Sequence, residues 1–449
     1  MRLLIISYDF PPVGGVSVQR VLSLVKYLPQ HGFEVQVLAA RNPASPVFDH
    51  DLVAQIPPFV TVHRVWTPEI SYARKQRLWR LVSGGKSNPI IEGTPAAGLK
   101  SRIARAVKTF LSPDPHLVWV PFALRRARRI VRHDGIDVIL VTAPPFSAFL
   151  IGNALKLEFP HLMLVSDFRD EWLRYLVKDF EFFQGGAAQR KAAVIERDTV
   201  AVSDLVLAVT NSSIQQLQQR YPAESVQKFG VVPNGYDPDV FGAFQPRRHE
   251  GDQVRVTYVG TVYGVCSPRY YLDALDQLPE EVREDFETVF VGRVVEEERR
   301  FLESRKSRIH LTGFLPQREA FRQMEESDYF LLTVVNDFCI AGKLFEYLRA
   351  GKPIIAITPP EGEIGRIIRE TRGGWCVDPR DQIGIVELLH RLHADSKSGK
   401  SRFAPDVERI RTYERPHLAA DIAELIKSRR TGIPAQSTQE RAGLSVRGT

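Results

Sequence analysis

Short apolar runs rich in β-branched residues alternate along the chain with stretches that carry apolar residues at helical spacing. Residues 2–7, RLLIIS, form the first such run, and Val18, Val21, Leu22, Val25 and Leu28 then recur at helical spacing. Gly32 ends this predicted helix, and the next run, EVQVLAA, covers residues 34–40. Strands that alternate with helices in this way predict an α/β fold with parallel sheets.

The alternating pattern is interrupted once and then begins again. Strand-like runs of the first series continue at residues 136–143, 162–168 and 204–210. The segment 231–253 is rich in proline, glycine and charged residues, which is typical of a linker. A second series follows at residues 254–260, 288–292, 309–313, 329–335 and 353–357. The sequence therefore predicts two α/β domains, which agrees with a length of 449 residues.

Composition is that of an ordinary globular protein, with 44% hydrophobic and 25% charged residues. The three cysteines, Cys266, Cys339 and Cys376, are far apart and form no CxxC pair, so we expect neither a disulfide framework nor a zinc site. No run of about 18 apolar residues occurs, and we therefore expect no membrane-spanning segment. These features together favour a cytoplasmic protein.

The net charge of +7 is unevenly distributed. Fourteen lysines and arginines lie between Arg74 and Arg132, and only Glu92 and Asp114 oppose them. We call this stretch the basic segment. The apolar residues interleaved with these charges are Trp79, Leu81, Ile103, Val107 and Phe110. The pattern indicates amphipathic surface helices that attract anionic lipid headgroups or nucleic acid, although solvated helix faces explain it equally well.

The first loop, YDFPPVGGVSVQR at residues 8–20, enters the first predicted helix through Gly14 and Gly15. Two glycines permit a positive φ and a close approach of a ligand to the backbone N–H groups, which suits a phosphate at a helix N-terminus. The GxGxxG fingerprint is absent, which argues against an NAD or FAD enzyme. A plain turn between a strand and a helix remains the alternative.

A second candidate site lies in GKLFEYLRAGKPIIAI, residues 342–357. This segment predicts a helix that glycine ends, followed by a buried strand. Lys343 and Glu346 fall in the first turn of the helix and on one face of it. Because a helix N-terminus attracts anions, the pattern suggests a group that is held by its phosphates and its hydroxyls together.

Charged residues also follow a buried strand in SDFRDEW, residues 166–172. Asp167, Arg169 and Asp170 fall where the carboxyl end of a parallel strand lines a binding crevice. The alternative is a structural Arg–Asp pair that braces the loop.

Six segments, in this order, resemble family 4 glycosyltransferases of the GT-B fold. They are FPPVGG, SDFRDEW, VVPNGYDPDVF, YVGT, LTGFLPQREAFRQMEESDYFLLTV and KLFEYLRAGKPIIAI. Two further segments, SPDPHLVWVPFAL and VTAPPFSAFLIGNAL, are similar to the branch that builds bacterial capsules and other surface polysaccharides. The resemblance covers residues 1 to about 427.

The resemblance implies an α/β protein with two Rossmann-like domains that face each other across a cleft. The first domain, residues 1–240, is then the acceptor side, and the second, residues 254–412, binds the sugar nucleotide. A helix over residues 413–428 returns to the first domain, and residues 431–449 form a disordered tail.

The activity that the resemblance implies is transfer of a sugar from a nucleotide-sugar donor to a lipid-linked glycan acceptor, with retention of configuration, in surface polysaccharide synthesis. It also implies no metal and no cofactor. No recognised nucleic-acid module accompanies the basic segment, so we expect no nucleic-acid partner. The enzyme would act in the cytoplasm, as a peripheral protein on the anionic inner face of the cell membrane.

The resemblance assigns roles to individual residues. Glu346 matches the glutamate that accepts hydrogen bonds from both ribose hydroxyls, and Lys343 with the helix N-terminus takes the diphosphate. The full set of donor-binding residues is Gly14, Gly15, Gly260, Thr261, Arg293, Gly313, Phe314, Lys343, Leu344 and Glu346. Asp167 and Arg169 line the acceptor side, and Asp170 is the candidate catalytic residue that orients the acceptor hydroxyl.

Two positions depart from the family pattern. The family's E-x7-E pair needs a glutamate where this chain has Phe338, with Asp337 one position away, which leaves the donor sugar open. Thr261 stands where an arginine is usual. The charge of the diphosphate must then be balanced by Lys343, Arg293 or Arg169, and the sequence does not rank these three.

Two other functions remain open at this point. A sugar-nucleotide epimerase has the same architecture but needs no second substrate. A non-catalytic scaffold of glycan assembly is favoured by the two departures, whereas the charged pair Lys343 and Glu346 argues against it.

Overall fold

The computed structural model of the protein describes residues 1–45, 47–72, 74, 77, 112–174, 186–242, 244–247, 251–399 and 403–431. The chain divides into two compact units. Unit 1 comprises Met1–Pro233 and the segment from Pro416 onward, and unit 2 comprises Asn234–Arg415. Residues 432–449 of the expected tail and most of the basic segment lie outside the described residues.

Unit 1 is built on a parallel sheet. Its strands are β1 (Arg2–Ile6), β2 (Glu34–Ala40), β3 (Thr61–Val65), β4 (Val138–Ala143), β5 (Met163–Phe168), β6 (Leu205–Ala208) and β7 (Phe229–Val231). Its helices up to the linker are α1 (Val16–Tyr27), α2 (Val120–Asp134), α3 (Phe149–Glu158), α4 (Gly186–Val202) and α5 (Asn211–Arg220). The strand order in the described sheet is β3-β2-β1-β4-β5-β6-β7, so the order reverses between β1 and β4.

Both faces of this sheet are covered, which explains why its strands read as nearly continuous apolar runs. Successive side chains of a strand point to opposite faces. Leu4 and Ile6 of β1 therefore belong to the core that contains residues of α2 and α3. Leu3 and Ile5 belong to a second core, on the side of α1.

Unit 2 is built on a second parallel sheet. Its strands are β8 (Val254–Val259), β9 (Phe286–Val291), β10 (Arg308–Gly313), β11 (Tyr329–Thr333), β12 (Ile354–Ile357) and β13 (Gly374–Val377). Its helices are α6 (Arg269–Leu275), α7 (Glu280–Glu284), α8 (Glu296–Glu303), α9 (Gln317–Glu325), α10 (Lys343–Ala350), α11 (Glu363–Thr371), α12 (Gln382–Lys397) and α13 (Val407–Arg411). The strand order among the described residues is β10-β9-β8-β11-β12-β13, which reverses between β8 and β11.

The last helix, α14 (Arg415–Thr431), packs on unit 1. Its apolar face, with Leu418, Ile422 and Ile426, is buried in the same core as Leu3 and Ile5 of β1. The expected α/β class with two Rossmann-like domains is confirmed, since each unit has a parallel sheet whose order reverses at its first strand.

Candidate functional site

Three glycines with positive φ follow or end neighbouring strands of unit 2 at the carboxyl edge of the sheet. Gly260 follows β8 with φ 130°, Gly292 follows β9 with φ 132°, and Gly313 ends β10 with φ 72°. Gly292 donates its N–H to the Gly313 carbonyl at 2.8 Å. A Cβ on Gly292 would lie 2.3 Å from the Gly260 carbonyl oxygen, so these two turns approach each other closely. The three strand ends therefore form a shelf of half-buried backbone.

The point where the strand order reverses lies beside this shelf. The N–H of Val335, just after β11, donates to the Val265 carbonyl at 3.0 Å, and the Thr333 hydroxyl donates to the Cys266 carbonyl at 3.1 Å. The loop after β8 is thereby joined to the end of β11. Open α/β sheets bind ligands at such a reversal.

Lys343 and Glu346 reach this point from the first turn of α10. A Cβ on Gly260 would lie 3.2 Å from Lys343 Nζ, so the ammonium sits against the turn after β8. Nζ is buried and makes no hydrogen bond to the part of the chain that the structure describes. Burial lowers the pKa of Lys343 to about 8, although Cys266 and Glu346 oppose this shift. Burial likewise raises the pKa of the half-buried Glu346, against the opposing charges of Arg415 and Lys343.

The other donor-side residues named from the sequence occupy different environments. Thr261 and Arg293 are exposed beside the shelf, and the Phe314 ring is 65% exposed. Leu344 is fully buried in the core of unit 2, and its N–H donates to the Ala341 carbonyl at 3.0 Å. Phe338 is also buried, in the loop between β11 and α10. Its side chain is therefore not presented to solvent as a glutamate contacting a sugar would be.

In unit 1, the two glycines of the first loop differ. Gly15 precedes α1 with φ 101°, is exposed, and has no atom within 4 Å of the position of a Cβ. Gly14 is buried, and its N–H donates to the Val47 carbonyl at 3.1 Å. Of the pair, Gly15 presents its backbone to solvent.

The charged residues at the end of β5 also differ in their exposure to solvent. Asp167 is buried, with both oxygens occupied: Arg20 binds them in a bidentate pair at 2.8 and 2.9 Å, and the Thr142 hydroxyl donates to one at 2.8 Å. Arg169 is buried, and its guanidinium donates to the carbonyls of Ala143 and Pro144. Asp170 is exposed at the end of the strand. The Arg20–Asp167 pair braces unit 1, and Asp170 is the residue that faces solvent.

The structure adds a histidine–carboxylate pair that the sequence analysis did not identify. His116 Nδ1 lies 2.7 Å from the Glu69 carboxylate, which also accepts the Tyr8 hydroxyl at 3.0 Å. The side chain of Glu69 is 3% exposed and that of His116 is 25% exposed. Burial alone would lower the pKa of His116, but the hydrogen bond to Glu69 and the charges of Asp114, Glu69 and Asp9 raise it above its usual value.

This pair lies where the sheet of unit 1 reverses. Tyr8 follows β1, and Asp114 ties the turn that carries His116 to the loop after β4. The Asp114 carboxylate accepts the N–H of Ser147 at 2.9 Å, its hydroxyl at 2.7 Å, and the N–H of His116 at 3.1 Å. The sequence signal for the position of His116 lies in the segment SPDPHLVW. Asp114 caps a short helical turn there and accepts the N–H of His116, two positions later.

Neither a metal centre nor a membrane span is found in the described ranges. No three histidine, cysteine or acidic side chains there are placed to ligate a metal ion. No helix among these residues is both long enough and apolar enough to cross a bilayer.

Comparison with known proteins assigns the same class to both halves of the chain. Residues 253–395 match the family model of group 1 glycosyl transferases, and residues 89–240 match the model of Glycosyltransferase Family 4. The matches support a glycosyltransferase of the GT-B fold.

One curated protein is similar to this chain over a short stretch. The probable glycosyltransferase WbjE of Pseudomonas aeruginosa is 30% identical over 94 residues, which cover 20% of this chain and 24% of that protein. The chain thus spans about a quarter of the length of the curated relative that it matches.

Solved structures resemble the whole chain in fold. Sucrose-phosphate synthase from Thermosynechococcus elongatus has a TM-score of 0.65 at 14% identity, with 96% of this chain and 99% of that chain covered. HepE of Anabaena, in complex with UDP, has a TM-score of 0.58 at 14% identity, with 95% and 100% covered. At these identities the likeness concerns the fold, which is that of GT-B glycosyltransferases.

Proposed function

We propose that the protein transfers a sugar from a nucleotide-sugar donor to a hydroxyl of a glycan acceptor, and that unit 2 binds the donor. The observation that carries this proposal is the buried Lys343 ammonium, which makes no hydrogen bond to the described residues and lies beside the Gly260 turn. A buried cation without hydrogen bonds is unfavourable until an anion satisfies it. A donor diphosphate supplies that anion at the reversal point of the sheet.

The nucleoside fits the rest of the same edge. Glu346 lies one turn along α10 from Lys343 and offers a carboxylate to the two ribose hydroxyls. Phe314 and Gly313 present an exposed ring and a turn to the nucleobase. HepE, which has the same fold, was solved with UDP, and this supports a nucleotide donor for the present chain.

The chemistry follows from these groups. The bond between the anomeric carbon and the phosphate oxygen breaks, and its electron pair goes to the leaving nucleoside diphosphate. The acceptor hydroxyl oxygen bonds to the anomeric carbon, and its proton goes to a phosphate oxygen of the leaving group. The Lys343 cation and the dipoles at the start of α10 stabilise that charge in the transition state, and they do so without reorganising. We propose retention of configuration, as the resemblance implies, and analysis of the anomeric product checks it.

Unit 1 is proposed to bind the acceptor. Asp170 is exposed at the end of β5, and the His116–Glu69 pair lies at the reversal of the same sheet. Glu69 holds Nδ1 of the imidazole, and the side chain of His116 is 25% exposed. These polar groups suit the hydroxyls of a sugar. The acceptor is proposed to be lipid-linked and part of surface polysaccharide synthesis, as the capsule-type segments imply.

The exposed face of α2 supports the proposal of a lipid-linked acceptor. Phe122, Arg125 and Arg129 share one exposed face of this helix. The Phe122 ring, 44% exposed, contacts the ring of Trp66, 51% exposed, edge to face at 5.4 Å. Aromatic rings beside arginines are typical of proteins that adsorb to anionic bilayers. The enzyme is therefore proposed to work on the inner face of the cell membrane.

The test of donor binding is calorimetry with a panel of nucleotide sugars, on the wild-type protein and on Lys343→Met. We expect one donor to bind and to raise the unfolding temperature, and Lys343→Met to lose most of that affinity. If no member of the panel binds, the protein is a scaffold. If the bound donor is converted into an epimeric sugar nucleotide without any acceptor, the protein is an epimerase.

A further inference from the structure

The Lys343 ammonium lies on the face of an aromatic ring. Its Nζ is 3.4 Å from the centroid of the Tyr258 ring, well within the range of about 6 Å for a cation–π contact. Tyr258 is fully buried and is the penultimate residue of β8, whereas Lys343 is the first residue of α10. The ring therefore connects the central strand of unit 2 to the helix that carries the proposed anion site.

The ring is the principal contact that stabilises this charge. Nζ is buried without a hydrogen bond to any described residue, and Cys266 and Glu346 act on it only as nearby charges. The negative face of an aromatic ring attracts an ammonium most strongly when water is excluded. Tyr258 thus lowers the free energy of a charge that burial would otherwise disfavour.

The other end of the same side chain holds the glycine turn. The Tyr258 hydroxyl donates to the Thr261 carbonyl at 2.8 Å, which fixes the turn that begins at Gly260. That turn approaches Nζ from the strand side, since a Cβ on Gly260 would lie 3.2 Å away. One residue therefore positions both the cation and the backbone beside it. Thr261 stands in this turn at the place of the arginine that is usual in the family that the chain resembles.

We propose that Tyr258 is a positioning residue for diphosphate binding. Its ring holds the Lys343 ammonium in place before the donor arrives, and its hydroxyl holds the turn at residues 260–261. This inference rests on the proposed function, in which unit 2 binds a nucleotide sugar. A lysine held in one rotamer loses less conformational entropy on binding than a free one, so the empty site is already organised for the anion.

The experiment compares Tyr258→Phe, which keeps the ring, with Tyr258→Leu, which removes it. Inorganic diphosphate and UDP are the probes, and calorimetry between pH 6.5 and 9.5 gives their affinities. We expect Tyr258→Phe to stay within about threefold of wild type, because only the bond to Thr261 is lost. We expect Tyr258→Leu to bind about tenfold more weakly or worse, and its affinity to decline at a lower pH, because the charged lysine has lost the ring. Equal affinity and an equal pH profile in the two variants would overturn the proposal.

Tyr271→Leu is the matched control for a cavity in the core. Tyr271 is equally buried and its hydroxyl lies 3.1 Å from that of Thr288. We expect this variant to lose stability but to bind both probes as wild type does. If Tyr271→Leu weakens binding as much as Tyr258→Leu, the effect is general softening of unit 2 and the proposal fails.

Two further measurements separate the possible failures. If wild type and Lys343→Met bind diphosphate equally, or neither binds it, the donor site itself is wrong. If Lys343→Met loses binding while Tyr258→Leu keeps it, only the role of Tyr258 is wrong. If Tyr258→Leu does not fold, NMR of the wild-type protein tests the contact between the Tyr258 ring and Lys343. Ring currents must shift the Lys343 methylene protons upfield, and unshifted signals would refute the contact.

Discussion

His116 Nδ1 lies 2.7 Å from the buried carboxylate of Glu69, and this pair joins two segments 47 residues apart in the sequence. A carboxylate that holds one nitrogen of an imidazole fixes the tautomer and orients the other nitrogen. The pair lies at the carboxyl edge of the unit 1 sheet, where ligands bind in this class of fold. It is therefore the strongest candidate on the proposed acceptor side after Asp170.

The pair should make stability depend on pH. The pKa of His116 is raised above 6.5 in the folded protein, so the folded state binds the proton more tightly than the unfolded state does. The stabilisation is complete below about pH 6.5 and is lost as pH rises through the folded pKa. Urea denaturation should show that the difference in unfolding free energy between wild type and His116→Gln is larger at pH 6 than at pH 8.5.

Turnover of His116→Gln tests the role of the pair in the reaction. We expect at least a tenfold loss of transfer, with donor affinity unchanged. His393→Gln is the matched control, because His393 Nε2 lies 2.7 Å from Asp285, which precedes β9 at the opposite edge of its sheet. Equal turnover in the two variants would show that the His116–Glu69 pair is structural.

Lys343 predicts how donor binding depends on pH. Because burial lowers the pKa of this lysine to about 8, the free protein loses the cation as pH rises above that value. Donor affinity should be constant from pH 6 to 7.5 and then fall by up to tenfold per pH unit. Calorimetry across pH 6–10 measures this, and a flat profile would contradict the assignment.

Lys352 is the matched control for Lys343. Its pKa is also lowered to about 8, chiefly by burial, but its ammonium donates to the carbonyls of Arg247, Glu325 and Ser327. Lys352→Met leaves three carbonyls without their donor. It should lower the unfolding free energy by about 2–4 kcal/mol and leave the pH profile of donor binding unchanged.

Glu346 should distinguish a nucleotide from a bare phosphate. Glu346→Ala removes the proposed acceptor for the ribose hydroxyls, an interaction of about 1.5–3 kcal/mol. UDP or the donor's own nucleotide should bind at least tenfold more weakly, whereas inorganic diphosphate should bind as it does to wild type. If both ligands are affected equally, Glu346 acts on the fold of α10 and not on the ribose.

The exposed face of α2 predicts adsorption to anionic vesicles. Arg128 and Arg132 bind Glu158, and Arg126 contacts His63. Arg125 and Arg129 are exposed, as Arg126 and Arg132 also are. Arg125→Gln with Arg129→Gln and Trp66→Ala should reduce binding by at least about thirtyfold in sedimentation at low salt, since the two arginines contribute about 1 kcal/mol each. Arg197→Gln, at an exposed site on α4, is the control. Binding that survives the triple change would remove this face from the proposal.

The sequence predicted the central strands well because both of their faces are buried, so each reads as an unbroken apolar run. It missed β3, β7 and β13, which are three of the four outermost strands of the described sheets and are only half-buried. The fourth, β10, is also half-buried but was predicted. At the site, Lys343 and Glu346 were predicted because they lie three positions apart in one helix, so their proximity can be read from the sequence. The Tyr258 and Glu69 contacts were not, because each partner comes from a distant segment that only the tertiary fold brings near.

The pairing of Tyr236 with Glu414 has a consequence for how the gene can be divided. The Tyr236 N–H donates to the Tyr413 carbonyl at 3.1 Å, so the first and the last residues of unit 2 lie side by side. Residues 234–415 are thus a cassette whose two ends meet, with a core of their own, and they should fold when expressed alone. Residues 1–233 should not, because without α14 the core around Leu3 and Ile5 is open to water. A fragment of unit 1 that joins residue 233 directly to residue 416 retains α14, and we expect it to fold.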